Sequence, residues 1–209
     1  MEIDVLLRGI GIGFAIAAPV GPIGLLCIRR TLADGRGAGI ATGMGAATAD
    51  AVYGLLVAVG FAATGVLLRY TSPMAFCGGL LIVWLGIGTL RSFFAAGTTR
   101  DSQLAVSSHK TILRSWATTF VLTLSNPMTI LAFVGLVAGL GATTQGTQTG
   151  PYWLVLGVFL GSALWWLILV QLALTARTRL TPDVTRWFDL FSGCLLLGWG
   201  AWIAVTAVV

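Results

Sequence analysis

Ala18-Pro19-Val20-Gly21-Pro22 lies towards the end of an apolar run, residues 4 to 28, that is long enough to cross a lipid bilayer. Each proline removes a backbone donor and its ring clashes with the preceding turn, so this stretch predicts a broken helix. Inside hydrocarbon the freed N–H and C=O groups have no water to meet. A break at that depth therefore survives only where protein or an aqueous cavity lines it. Ser125-Asn126-Pro127 predicts a second break in the other half of the chain, and a single carboxylate, Asp50, falls mid-run between the two.

Composition sets the environment. The 209 residues are 57% apolar and only 9% charged, with a mean hydropathy of +0.95, which a water-facing surface does not tolerate. The chain reads as an all-α integral membrane protein. At 20 to 25 residues per crossing, its length holds roughly six helices in a single transmembrane domain, 1–209, with nothing left for a soluble one. The net charge of +5 argues for no nucleic-acid partner, because the basic residues sit in the gaps between apolar runs, where they set orientation in the bilayer.

Cys27, Cys77 and Cys194 are scattered without CxxC spacing and read as small buried hydrophobes. His109, the one histidine, falls in a polar loop and reads as solvated. No metal set and no cofactor motif emerges. The leader Met1-Glu2-Ile3-Asp4 is acidic where a signal peptide needs a basic region, so Ala15-Ile16-Ala17 reads as part of a first transmembrane helix.

Further apolar runs fall at about 38–67, 73–95, 112–140, 152–175 and 187–208, making six. Arg29, Arg30 and Arg36 occupy the first gap, Arg91, Arg100, Lys110 and Arg114 the third, and Arg177, Arg179 and Arg186 the fifth; the second holds Arg69 and 141–151 holds no charge. Positive-inside logic puts the basic gaps in the cytoplasm and both termini outside. Helix 3, from Phe76 to Trp84, aligns without gaps with Phe191 to Trp199 in helix 6, sharing Phe, Gly, Leu-Leu and Trp. Helices 2 and 5 each carry a GxxxG, Gly39 to Gly43 and Gly157 to Gly161, and helices 1 and 4 each carry a break. Two inverted three-helix repeats are expected, about 4–95 and 112–208, joined by a cytoplasmic loop at about 96–111.

After each break the chain restarts as a half-helix whose first N–H groups lack partners and whose dipole presents positive charge. In inverted repeats these two ends face one cavity, suited to an anionic group such as a carboxylate. Pro19, Gly21, Pro22, Ser125, Asn126, Pro127 and Thr129 are the candidate substrate-binding residues. Burying an ionised carboxylate costs at least about 3 kcal/mol on insertion scales, so Asp50 must be protonated, paired or wet, which makes it the candidate for proton coupling or recognition of an ammonium. Thr48, Tyr53, Trp165 and Trp166 are candidate cavity walls. Two broken helices, an inverted repeat and one buried acid together point to a secondary transporter.

Pro19-Val20-Gly21-Pro22, the basic turn from Arg29 to Arg36, the stretch GIATGMGAATAD from Gly39 to Asp50, and Ser125-Asn126-Pro127 resemble the lysine exporter (LysE) superfamily, including its homoserine/threonine branch. The resemblance covers nearly the whole chain. It implies proton-motive-force-driven efflux of amino acids or similar solutes from the bacterial cytoplasm, in the inner membrane, with Pro19, Gly21, Pro22, Asp50, Asn126 and Pro127 as the matching positions. Members that export basic amino acids commonly carry Gln-Asn after the first break; Ile23-Gly24 here argues against lysine or arginine as cargo. Expected partners are a small-molecule substrate, protons and the bilayer, and a homo-oligomer is compatible with all of this. The alternatives are a divalent-metal exporter on a related six-helix plan, which would want His, Cys or several carboxylates within the span where this chain offers one Asp and no His, and a membrane thiol-disulfide carrier, which would want paired reactive cysteines in facing helices.

Overall fold

A computed structural model describes residues 2–19, 21–58, 70–95, 109–126, 128–133, 150–177 and 182–207. Val20, Pro127, most of the expected 96–111 loop and most of the uncharged 141–151 gap lie outside them. The described residues form helices and no strand: α1 (Glu2–Ala17), α2 (Pro22–Asp34), α3 (Arg36–Ala58), α4 (Thr71–Ala95), α5 (His109–Leu124), α6 (Gly150–Arg177) and α7 (Pro182–Thr206), with a further helical stretch at 128–133.

The first break is where the prolines require it. Ala18 N–H still bonds Phe14 C=O at 2.9 Å, but α1 ends at Ala17 and α2 starts afresh at Pro22, its axis turned by 83°. Gly21 is the extended N-cap and Pro22 occupies the first turn, where its missing N–H costs nothing. The first bond of the new helix runs from Leu25 N–H to Gly21 C=O, 3.1 Å.

The apolar run predicts that this helix stops near residue 28, with Arg29 and Arg30 in a loop. Instead α2 continues to Asp34, and the reversal into α3 is made by Gly35 alone, at φ 89°, a left-handed conformation that suits glycine. The arginine is tolerated because it is solvated by protein. Arg30 is buried, and its Nη1 donates to Thr42 Oγ1, Ser115 C=O and Thr119 Oγ1 at 3.2, 3.0 and 3.1 Å, while Nη2 donates to Thr118 Oγ1 at 2.8 Å. Each of those threonines donates its own proton to a backbone carbonyl in its own helix, which leaves its oxygen as an acceptor for the guanidinium. The second correction is at His109, which opens α5 instead of lying in a loop.

α3 is the central helix, packed against α2, α5 and α6. Its 23 residues span about 34 Å, enough for a hydrocarbon core of about 30 Å. Small residues such as Ala38, Ala41, Ala46, Ala47 and Ala49 are buried along it, which lets neighbouring backbones approach closely. The closest approach is between α1 and α6. A Cβ on Gly13 would stand 2.1 Å from Val158 O, and one on Gly161 2.0 Å from Ile10 O, so neither position admits even alanine without separating the helices.

Residue pairings give the helix directions. Gly9 meets Gly157 and Gly13 meets Val158, so α1 and α6 run parallel; Gly45 meets Trp116 while Tyr53 bonds Leu124, so α3 and α5 run parallel. Gly43 meets Trp166 and Gly54 meets Val158, making α3 and α6 antiparallel; Gly79 meets Gly200 and Gly86 meets Leu197, making α4 and α7 antiparallel.

Among the described residues two helices, at Ser72–Arg91 and Tyr152–Ala176, are by themselves long and apolar enough to cross a membrane, and α1 and α2 meet the same test when taken together as one bent span. The other expected spans fall short for specific reasons. α3 is surrounded by protein and made of Gly, Ala and Thr; α5 stops at the second break; Asp183, Arg186 and Asp189 leave only Leu190–Thr206 of α7 apolar. Cys27 is buried with its thiol towards Gly39 C=O at 3.7 Å, whereas Cys77 and Cys194 are exposed on α4 and α7, contrary to the reading of all three as buried.

Candidate functional site

The two breaks meet. A cavity of about 60 Å³ is lined by Pro19, Gly21 and Pro22 from the first, Asn126 and Thr129 from the second, Ala46 and Asp50 from α3, Thr123 from α5 and Trp166 from α6. Pro127 lies outside the described residues.

The two half-helix starts are finished differently. At α2, Gly21 has no side chain and no side-chain cap is made, while Ile23 and Gly24, whose N–H groups belong to the unpartnered first turn, border the cavity. At the second break, Asn126 is itself the cap: its Oδ1 accepts from Met128 N–H at 3.1 Å and its C=O from Ile130 N–H at 3.2 Å. Asparagine at this position is thus explained by local helix chemistry first, and the residue also borders the cavity. Both starts bring the positive end of a helix dipole to the same space.

Asp50 closes the cavity from α3. It is 3% exposed and its Oδ2 accepts from Ser162 Oγ at 2.6 Å. Ser162 in turn accepts from Trp166 Nε1 at 3.2 Å, so the indole holds the hydroxyl with its proton aimed at the carboxylate. Thr123, also 3% exposed, is the one buried side-chain oxygen or nitrogen among the described residues with no hydrogen-bond partner, and it sits on the cavity wall. An unsatisfied buried hydroxyl is costly.

Other candidates are occupied elsewhere. Ser125 packs on Gly78 of α4. Thr48 donates to Met44 C=O at 2.6 Å and accepts from Trp116 Nε1 at 3.4 Å on the α5 side. Tyr53 donates to Leu124 C=O and stacks on Phe133, satisfying a carbonyl that the second break frees. Trp165 lies edge-on to Phe14, ring centroids 5.3 Å apart. Of the four candidate walls, Trp166 lines the cavity; Thr48, Tyr53 and Trp165 hold up the helices around it.

Ser162 and Thr123 were not anticipated. Ser162 did leave a signal, being the only polar side chain from Trp153 to Val170. Thr123 left none, since threonine recurs throughout α5. No three His, Cys, Asp or Glu residues come together as a metal site among the described residues.

Comparison with known proteins gives the family of the chain. The family model described as LysE type translocator matches residues 14–206. The chain is 27% identical over 199 residues, 94% of its length and 93% of the relative's, to the Bacillus subtilis (strain 168) protein named "Putative amino acid efflux protein YcgF". No solved structure matches it.

Proposed function

Because the chain belongs to the LysE type translocator family, we propose that this multi-pass membrane protein exports amino acids or closely related zwitterionic solutes by proton antiport. The observation that carries the reading is the meeting, around one cavity, of two half-helix N-termini, the unpartnered Thr123 hydroxyl and the buried Asp50 carboxylate. The first three suit a carboxylate and the fourth suits an ammonium, which are the two charges of an amino acid.

The site residues act as a set. First-turn N–H groups at Ile23 and Gly24, the Asn126 amide and the Thr123 and Thr129 hydroxyls take the solute's carboxylate. Deprotonated Asp50 takes its ammonium. Proton and solute then compete for one group: a proton loaded from outside expels the solute outward, and release of that proton inside restores the carboxylate for the next molecule. The cavity of about 60 Å³ holds part of a solute, so loading requires the walls to separate, as alternating access demands.

Six spans in two inverted repeats, with both termini outside and the basic gaps in the cytoplasm, complete the proposal. Helix directions support it. Exchanging the first three spans for the last three turns the parallel α1–α6 pair into the parallel α3–α5 pair, and returns the antiparallel α3–α6 and α4–α7 pairs to themselves. The decisive experiment is reconstitution into vesicles loaded with a panel of labelled amino acids. An imposed proton gradient should accelerate efflux of some of them in the wild type; no gradient-driven movement of any would overturn the antiport reading.

A further inference from the structure

A second, much larger cavity of about 760 Å³ lies between α2, α4 and α5, away from the two breaks. Four arginines line it, Arg29 and Arg30 of α2, Arg91 of α4 and Arg114 of α5, against one carboxylate, Asp34, so that the lining carries an excess of positive charge. Arg30 is held in place by neutral oxygens of Thr42, Ser115, Thr118 and Thr119, which fix the guanidinium without neutralising it. Arg114 is poised differently: its guanidinium lies over the half-exposed ring of Trp84, 5.5 Å from the centroid, which orients the group and leaves its edge for hydrogen bonding. Arg91 is exposed seven residues after Trp84, about two turns along α4 and on the same face of the helix. The charge is assembled from three helices far apart in sequence. None of it is used by the solute site.

We propose that this cavity binds a phosphate group, carried either by an anionic phospholipid or by a free phosphate-bearing solute. Guanidinium forks match phosphate oxygens in pairs, and a basic pocket between membrane helices is a setting for an anionic headgroup. The apolar part of the lining supports the lipid as source. Trp84 and Ile87 are exposed beside Leu85 on the same stretch of α4 as Arg91, so a glycerol backbone and the start of an acyl chain would meet apolar surface while the phosphate meets Arg91 and Arg114.

The test measures melting of the detergent-purified full chain while three additives are titrated separately: phosphatidylglycerol, phosphatidylcholine, and inorganic phosphate against sodium chloride of equal ionic strength. Saturable stabilisation by phosphatidylglycerol but not phosphatidylcholine identifies the lipid as source. Saturable stabilisation by inorganic phosphate, with the two lipids equal, identifies a free anion. In either case Arg91→Gln and Arg114→Gln should each weaken the apparent affinity ~5-fold, while Arg8→Gln, on the exposed face of α1, should leave it unchanged. The proposal is overturned if no additive gives a saturable shift, if the two Gln variants bind as the wild type does, or if Arg8→Gln loses as much as they do. Should either Gln variant fail to fold, the three wild-type titrations decide.

Discussion

Ser162 Oγ and Asp50 Oδ2, 112 positions apart in the chain, are joined by a 2.6 Å hydrogen bond across the interface of α3 and α6. The pair is the polar fastening between two antiparallel helices that otherwise meet through small and apolar residues. It also fixes the carboxylate at the edge of the cavity.

Asp50→Asn keeps the shape and can still accept from Ser162, but cannot titrate. It is expected to fold with near-normal stability and to lose gradient-driven efflux altogether, with downhill exchange persisting at best. Efflux from proteoliposomes with and without an imposed pH gradient checks this. A wild-type response from the variant would make Asp50 a packing group.

Removing the other partner tests the fastening. Ser162→Ala leaves both Asp50 and the Trp166 indole N–H without their bonds, which should cost about 1–3 kcal/mol of stability. The melting temperature should fall clearly below that of the wild type. Wild-type melting would separate Ser162 from Asp50.

Thr123→Val is the cleanest probe of the cavity. Its hydroxyl has no partner, so replacing it by an isosteric methyl should leave melting unchanged or raise it slightly. Solute affinity should nevertheless fall, seen as a raised half-saturation constant for efflux. An unchanged constant would remove Thr123 from the binding set.

At Asn126 two substitutions separate cap from site. Asn126→Ala removes the cap and should destabilise by about 1 kcal/mol. Asn126→Asp keeps a capping oxygen for Met128 N–H, so stability should return, yet it places a second carboxylate against the solute's own. Restored melting with transport still absent is the expected pattern; restored transport would confine Asn126 to its helix.

Orientation is tested on a cysteine-free background. Arg36→Cys, exposed at the start of α3, should label from the cytoplasmic side only, and Tyr152→Cys, exposed at the start of α6, from the outside only. The reverse pattern would invert the direction of transport.

Proline and glycine made much of this legible in advance. That Pro19, Gly21, Pro22, Asn126 and Asp50 border one cavity follows a sequence argument: a broken helix and a buried acid each carry a cost that a lined cavity offsets. Hydropathy was less informative about α3, whose lipid-poor setting lets it be built from Gly, Ala and Thr. Arg30 reads as a loop charge in the sequence, since composition cannot show that four neutral oxygens from α3 and α5 converge on it. Thr48, Tyr53 and Trp165 were near Asp50 or Trp166 in sequence, but helical rotation turns each towards a different neighbour.

α2 begins at the extended Gly21 and ends at Gly35, so the 13-residue rod between them is jointed at both ends. It is also pinned at one point by the Arg30 guanidinium. Eight residues of helix separate that pin from Pro22, about 12 Å. A tilt of about 10° around the pin therefore swings the Pro22 end by about 2 Å, comparable to the radius of the small cavity it borders. The short arm beyond the pin, from Thr31 to Asp34, moves the opposite way and less far. The rod is a first-class lever with unequal arms about that pin, so a small displacement of the Asp34 end is magnified at the Pro22 end, which borders the small cavity.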